Sequence, residues 1–375
     1  MDSKLINQIS EYAKLFSQKK FIESGYIAVR YGDGIAITVQ KADLNNIGEN
    51  DVVFVNDKNI ESYEGNFRAA AVILFCALRQ DKTSEAAAIV DIDDIMNYSS
   101  KRKPLQPVMD NVAKLLGVTV KCSSKNVAAE IVTALSGYRN ACFMPDAGAL
   151  VKARSLKELV HAVDVLDKAC SAEMLAENKG GTQHINPINA FIEQVVYKLT
   201  NKEKSENSGN SEKTENAENA SEEVSAKEAT ENSSMTDNGQ SGGEQQSDNG
   251  QEEANNNQSH DECENNACQI EYKTINVGGK LVAFACPKYI TAVSAIGKPM
   301  TVTDEYKEKL GEEIPCIPSK MILTKKAHEK AVELTGDSKV CFMAQHGVIV
   351  MADSEQELEE TVALVENACK SYLEA

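Results

Sequence analysis

The chain has 375 residues, 42% of them apolar and 5% aromatic with no tryptophan, which is material for two modest soluble domains. Its net charge of −18 is concentrated in residues 201 to 268, where 17 acidic side chains face 4 lysines, so the remainder is only mildly acidic. Nucleic acid and anionic membrane surfaces require clustered Lys and Arg and are not expected partners, and no apolar run reaches the length that spans a bilayer.

The chain opens with Leu5, Ile6, Ile9, Tyr12, Ala13 and Phe16 at the spacing of one helix face, without the continuous apolar segment of a signal peptide, so a cytoplasmic location is expected. Strand signals follow, then a helix, then the buried-strand string "AAAIV" that runs into "DIDDIMNY". A Leu-Gly segment, a further strand and helix, and the strand-turn-strand "CFMPDAGALVKA" come next. Ten cysteines are scattered, mostly inside apolar strings, where small buried thiols are expected. Cys263 and Cys268 have no neighbouring pair or histidine set, so a zinc site is not expected there.

Near the C-terminus the chain reads "CFMAQHGVIVMA", almost the earlier strand-turn-strand again. At the same offset Leu135 and Gly137 face Leu334 and Gly336, and Ser155-x-x-Glu158 faces Ser354-x-x-Glu357, each a capping box that starts a helix. The helices that follow carry matching stripes: Leu159, Val163, Leu166 and Cys170 against Leu358, Val362, Val365 and Cys369. The chain is therefore an internal duplication. The expected organisation is a first module over residues 1 to 178, the start of a second over 179 to 200, an acidic insert over 201 to 268, and the remainder of the second module over 269 to 375. The insert has no Leu, Ile, Phe, Tyr or Trp and is expected to be disordered. The second module, resuming with "INPINAFIEQVVYKL", lacks a counterpart of the opening strands.

The final third, from "YITAVSAIGKPMTVTDEYKEKLGEEIPCIP" through "MAQHGVIVMADSEQELEETVALVENA", together with "SGYIAVRYGDGIAIT" in the first copy, resembles the class II aldolase/adducin family. The resemblance implies a three-layer α/β/α sandwich, here duplicated in one chain, and a homo-oligomer. In active members it further implies a zinc-dependent retro-aldol or epimerase reaction on a sugar phosphate. That chemistry uses a His-x-His at a strand end, a third histidine beside the glycine of a turn, and a carboxylate that moves the proton.

Carried over position by position, most of that set is missing. The third-ligand position holds His346 beside Gly347 in the second copy and Ala147 beside Gly148 in the first. The His-x-His positions of the second copy fall on Phe284 and Cys286, or on Ala283 and Ala285 if the register slips by one. The acid position is Ala190 in one copy and Ala69 or Ala70 in the other. The family's Gly-Asn-x-Ser becomes Gly25-Tyr26-Ile27-Ala28, leaving Gly25, Arg30 and the Gly-Asp-Gly turn that follows, with Gly347 of the second copy as the other candidate substrate residue.

In the first copy Asp91 and Asp93 take the His-x-His places. Two readings stand: a pair of carboxylates on one strand face, suited to Mg or Mn, or a solvated Asp-x-Asp-Asp turn ending the strand. The second is favoured because Ala147 supplies no third ligand. His346 likewise reads either as a remnant ligand or as a turn histidine bonded locally, and the latter is favoured. With five histidines in the chain, neither copy completes a three-histidine site unless folding brings His184 beside His346. The expectation is a divergent scaffold or small-molecule-binding protein with no resident cofactor and a sugar-phosphate-like ligand as candidate. The rival is an aldehyde-lyase or epimerase rebuilt around zinc or another divalent metal.

Overall fold

A computed structural model describes residues 2–22, 25–207, 272–277, 279–318 and 338–375. Of these, residues 2–202 and those from 272 on belong to one compact unit. The disorder expected of residues 201 to 268 concerns chain mostly outside the described residues, and Cys263 and Cys268 lie there too.

The first module begins with α1 (Ser3–Gln18), capped by the Asp2 carboxylate, which accepts from Lys4 N at 3.0 Å. Its buried face is Ile6, Ile9, Ala13 and Phe16, the stripe read from the sequence. Seven strands form the first sheet: β1 (Tyr26–Tyr31), β2 (Gly34–Thr38), β3 (Val52–Val55), β4 (Ala86–Val90), β5 (Lys121–Cys122), β6 (Ala141–Phe143) and β7 (Ala149–Ala153). Their order is β3-β2-β1-β4-β7-β6-β5, all neighbours antiparallel except β5 and β6. The helices are α2 (Gly65–Gln80), α3 (Asp93–Ser100), α4 (Asp110–Leu116), α5 (Ala128–Leu135) and α6 (Leu156–Leu175). On β4 successive residues alternate faces: Ala86, Ala88 and Val90 join the core under α1, α3, α4 and α6, while Ala87 joins the core under α2 and α5. A continuous apolar string on a central strand is what a sheet covered on both faces requires.

The second sheet runs β12-β13-β14-β9-β8. Its strands are β8 (Tyr272–Val277), β9 (Lys280–Ala285), β12 (Cys316–Ile317), β13 (Val340–Met343) and β14 (Gly347–Ala352), while β10 (Met300–Thr301) and β11 (Glu313–Ile314) pair apart from it. The helices are α7 (Pro187–Asn207), α8 (Lys288–Ile296), α9 (Lys307–Leu310) and α10 (Glu355–Glu374). The duplication is visible in the ladders. β14 pairs β9 with Val348 opposite Ala285, as β7 pairs β4 with Ala149 opposite Val90. β8 and β9 form a direct hairpin in the places of β1 and β4, and among the described residues nothing corresponds to β2 and β3.

The two modules share one interior. A single cluster of buried side chains runs from Phe16 and Phe143 through α6 (Leu159, Val163, Leu166, Cys170) to α8 (Ile290, Val293) and α10 (Val362, Val365, Cys369). The matching stripes of the duplicated capped helices therefore lie in the same core. Cys142, Cys170, Cys341 and Cys369 are buried free thiols, as their apolar settings imply. Among the described residues no helix is long and apolar enough to cross a membrane.

Candidate functional site

The duplicated hairpin turn meets the end of the central strand in both modules. Gly148 (φ +83°) and Gly347 (φ +94°) lie in the left-handed region that favours glycine. A Cβ at Gly148 would collide with the Val90 carbonyl and approach Asp91, and a Cβ at Gly347 would collide with the Ala285 carbonyl and reach Cys286. The backbone thus brings the His-x-His positions against the turn in each copy, and the side chains there decide the chemistry.

In the first copy the turn offers Ala147. β4 ends at Val90 and Asp93 opens α3, so Asp91 and Asp93 do not share a strand face. Both are exposed. Asp93 and Asp94 stand in the first turn of α3, where the helix dipole favours negative charge.

In the second copy the ladder register makes Cys286 the counterpart of Asp91 and Lys288, the first residue of α8, the counterpart of Asp93. The turn is pinned to α8: Gln345 N donates to Ser294 O at 3.1 Å, and Gly347 N donates to Ser294 Oγ at 3.2 Å. His346 then reaches into the other module. Its Nδ1 lies 3.4 Å from Asp110 Oδ1 at the start of α4, with both side chains mostly buried. Lys114 pairs with the same carboxylate and lies 3.7 Å from Glu193 of α7. Burial alone would raise the Asp110 carboxyl, but hydrogen bonds and charges from His346 and Lys114 outweigh it and hold the group well below the usual carboxylate range.

His184 comes to the same neighbourhood without joining His346. Gln345 Nε2 donates to Gln183 O at 3.0 Å, which ties the segment before α7 to the turn. The His184 ring is engaged elsewhere, with Nε2 2.7 Å from Glu173 Oε1, and that hydrogen bond raises its pKa against the opposing effect of burial. Among the described residues no group of three His, Cys, Asp or Glu side chains is placed to hold a metal ion. The donors present do not fit the three-histidine zinc centre that the resemblance implies.

Gly25 and Arg30 are not brought together with the turn. Gly25 packs against Ile22 and the Ile89 carbonyl just before β1. Arg30 lies five residues on, roughly 17 Å along an extended strand. Its Nη2 donates to the carbonyls of Leu78 (2.5 Å), Asp81 (3.1 Å) and Ser84 (2.9 Å), fastening the connection from α2 to β4. Beyond β1, an open concavity of about 500 Å³ is lined by Ile6, Tyr31, Glu49, Asn50, Val52 and Phe54. It is built on β3 and so belongs to the first module alone.

Sequence reasoning missed Asp110, Lys114 and Glu193, because no local pattern ties α4 to a turn more than two hundred residues away. It also missed Asp167 and Glu366, although the constant offset of the repeat aligns them inside matching apolar stripes.

The sequence matches the family described as Class II Aldolase and Adducin N-terminal domain over residues 7–174 and again over 278–373. No curated protein matches it. Among solved structures, an L-fuculose 1-phosphate aldolase is 20% identical over 53% of this chain and 98% of its own, with a TM-score of 0.46. The L-fuculose-1-phosphate aldolase of Thermus thermophilus is 16% identical over 49% of this chain and all of its own, at 0.40. YgbL of Escherichia coli is 14% identical over 51% of this chain and 98% of its own, at 0.44.

Proposed function

The chain belongs to the class II aldolase and adducin family, and from that premise we propose that it is a divergent member which has given up zinc-dependent aldol chemistry and works as a scaffold or small-molecule-binding protein. The observation that carries this reading is the engagement of His346, the one retained histidine of the ligand pattern, with Asp110 of the other module. A group held against a carboxylate of the other module serves the joint between modules. Ala147 in the first copy, and Cys286 with Lys288 in the second, supply no imidazole to work beside it. Fold membership does not supply an activity when the site residues are gone. The ligand class proposed is a sugar-phosphate-like anion, and the assembly a homo-oligomer.

One observation favours a second reading, a metal-dependent aldehyde-lyase or epimerase with a rebuilt centre: both copies keep the close approach of the turn glycine to the strand end. Candidates for that centre are His346, Asp91 and Asp93. Metal content decides between the two. Untagged protein purified without chelator, measured by inductively coupled plasma mass spectrometry, is expected to carry less than about a tenth of an equivalent of any divalent metal. Near-stoichiometric zinc or manganese would overturn the non-catalytic reading.

A further inference from the structure

Helix α7 packs the wrong way round for an amphipathic helix. Its inner face is Ala190, Gln194 and Tyr197: Ala190 is fully buried, Gln194 is 1% exposed with Nε2 donating to Tyr138 O at 2.5 Å, and Tyr197 stacks on the Arg154 guanidinium. Its outer face carries Ile188 (70% exposed), Phe191, Ile192, Val195 and Leu199 (61%). Large apolar side chains left outside while a glutamine is buried indicate a surface that another body covers.

The spacing specifies what kind of body. Ile188, Ile192, Val195 and Leu199 alternate steps of four and three residues, the d-a-d-a seam of a helix that packs against another helix. The seam is also symmetric about its own midpoint, between Glu193 and Gln194. Laid antiparallel across a twofold axis there, it places Ile188 against Leu199 of the partner subunit and Ile192 against Val195 of the partner subunit, twice over. Phe191 extends the patch to Tyr138, with ring centroids 6.2 Å apart. With Tyr138 included, the patch offers roughly 600–800 Å² per copy, close to what one partner contributes to a standard interface.

We propose that the outer face of α7 is a twofold self-association surface, in which Ile188, Ile192, Val195 and Leu199 interlock with the same residues of a second copy of this chain. An isologous contact needs one patch that complements itself, and this seam does. The proposal names the surface of the homo-oligomer read above and is independent of whether the protein binds a metal.

The test uses the full chain, 40.8 kDa, in multi-angle light scattering at about 50 μM, within the range where an interface of this size associates. Wild type is expected at twice the chain mass or a multiple of it. Ile192→Glu and Val195→Lys are each expected to halve that mass while leaving the thermal transition of the fold in place, since both side chains point outward. Mixing the two variants is expected to restore the wild-type mass, because the introduced carboxylate at 192 faces the introduced ammonium at 195 of the partner subunit. A monomeric wild type overturns both the surface and the homo-oligomer. An oligomer that survives either substitution, or variants that fail to rescue each other, overturns the surface alone.

Discussion

The two modules carry an acidic side chain at the same point of their last helices, at equal distance from the capping serines Ser155 and Ser354, and they use it differently. In the second module Glu366 reaches the start of α8, where its two oxygens accept from Tyr289 N at 3.0 Å and Ile290 N at 2.8 Å. The cap is needed because Pro287, at the N-cap position, has no side-chain acceptor. In the first module Asp167, one methylene shorter, makes no such pair with α3, and its Oδ1 is buried without a hydrogen bond among the described residues. Burial first, and then the charge of Asp94, push Asp167 up to about 7 against the pull of Lys288, which is 2.5 Å from Asp94. One repeat position thus yields a satisfied cap in one module and an uncompensated acid in the other. A duplicated frame preserves backbone geometry more strictly than side-chain function.

The strictness of the frame is testable at the turns, where the largest effects are expected. Gly148→Ala and Gly347→Ala each drive a Cβ into a strand carbonyl at a left-handed φ, at an expected cost of about 3–5 kcal/mol in urea unfolding. Gly148 is the tighter of the two and is expected to suffer more. If both cost under about 1 kcal/mol, the turns move freely and the close approach is not what the duplication conserved.

Asp167 and Glu366 are expected to respond with opposite signs. An unfolded aspartate titrates near 4 and the folded Asp167 near 7, so the folded form keeps its proton through that interval. The associated stability is fully present below pH 4 and is lost as pH rises through 7. Asp167→Asn removes that loss, and is expected to stabilise the protein at pH 8 by on the order of 2–4 kcal/mol while changing little at pH 4. Glu366→Gln keeps only one acceptor for the two amides of α8 and is expected to destabilise by about 1 kcal/mol. Thermal midpoints at pH 4, 6 and 8 check both, and equal signs at pH 8 would break the contrast between the modules.

What was legible in the sequence was what is local or strictly periodic. The α1 stripe, the paired capping serines, the alternation of "AAAIV" and the repeated strand-turn-strand are short-range patterns, and each forms where its spacing places it. The Ser155 and Ser354 hydroxyls accept from Glu158 N and Glu357 N, three residues on, which is the serine half of each box, while the Glu158 and Glu357 carboxylates accept from Arg154 and Lys339. Three readings needed tertiary information. The period-two argument for Asp91 and Asp93 depended on a strand that stops at Val90. Arg30 reads as a substrate residue until its Nη2 is seen donating to the carbonyls of Leu78, Asp81 and Ser84. The partner of His346 is in the other module, and no spacing rule connects residue 110 to residue 346.

That last contact gives the most specific effect. The first module's turn carries Ala147 at the position where His346 spans the joint to Asp110, whose carboxylate also pairs with Lys114. Asp110→Asn leaves Lys114 and His346 without their carboxylate and is expected to cost about 1–2 kcal/mol at pH 7. His346→Ala is expected to cost about 0.5–1 kcal/mol, in the range of partly exposed pairs. The folded Asp110 titrates below its unfolded value near 4, so its contribution is fully present above about pH 5 and is lost as pH falls through the folded value. The stability gap between wild type and Asp110→Asn should therefore shrink as pH falls from 5 toward 2. A double-mutant cycle isolates the pair: a coupling of about 0.5–1 kcal/mol at pH 6 would make His346 a joint between modules. A coupling of zero would release the imidazole from that role and return it to the candidates for a rebuilt metal centre.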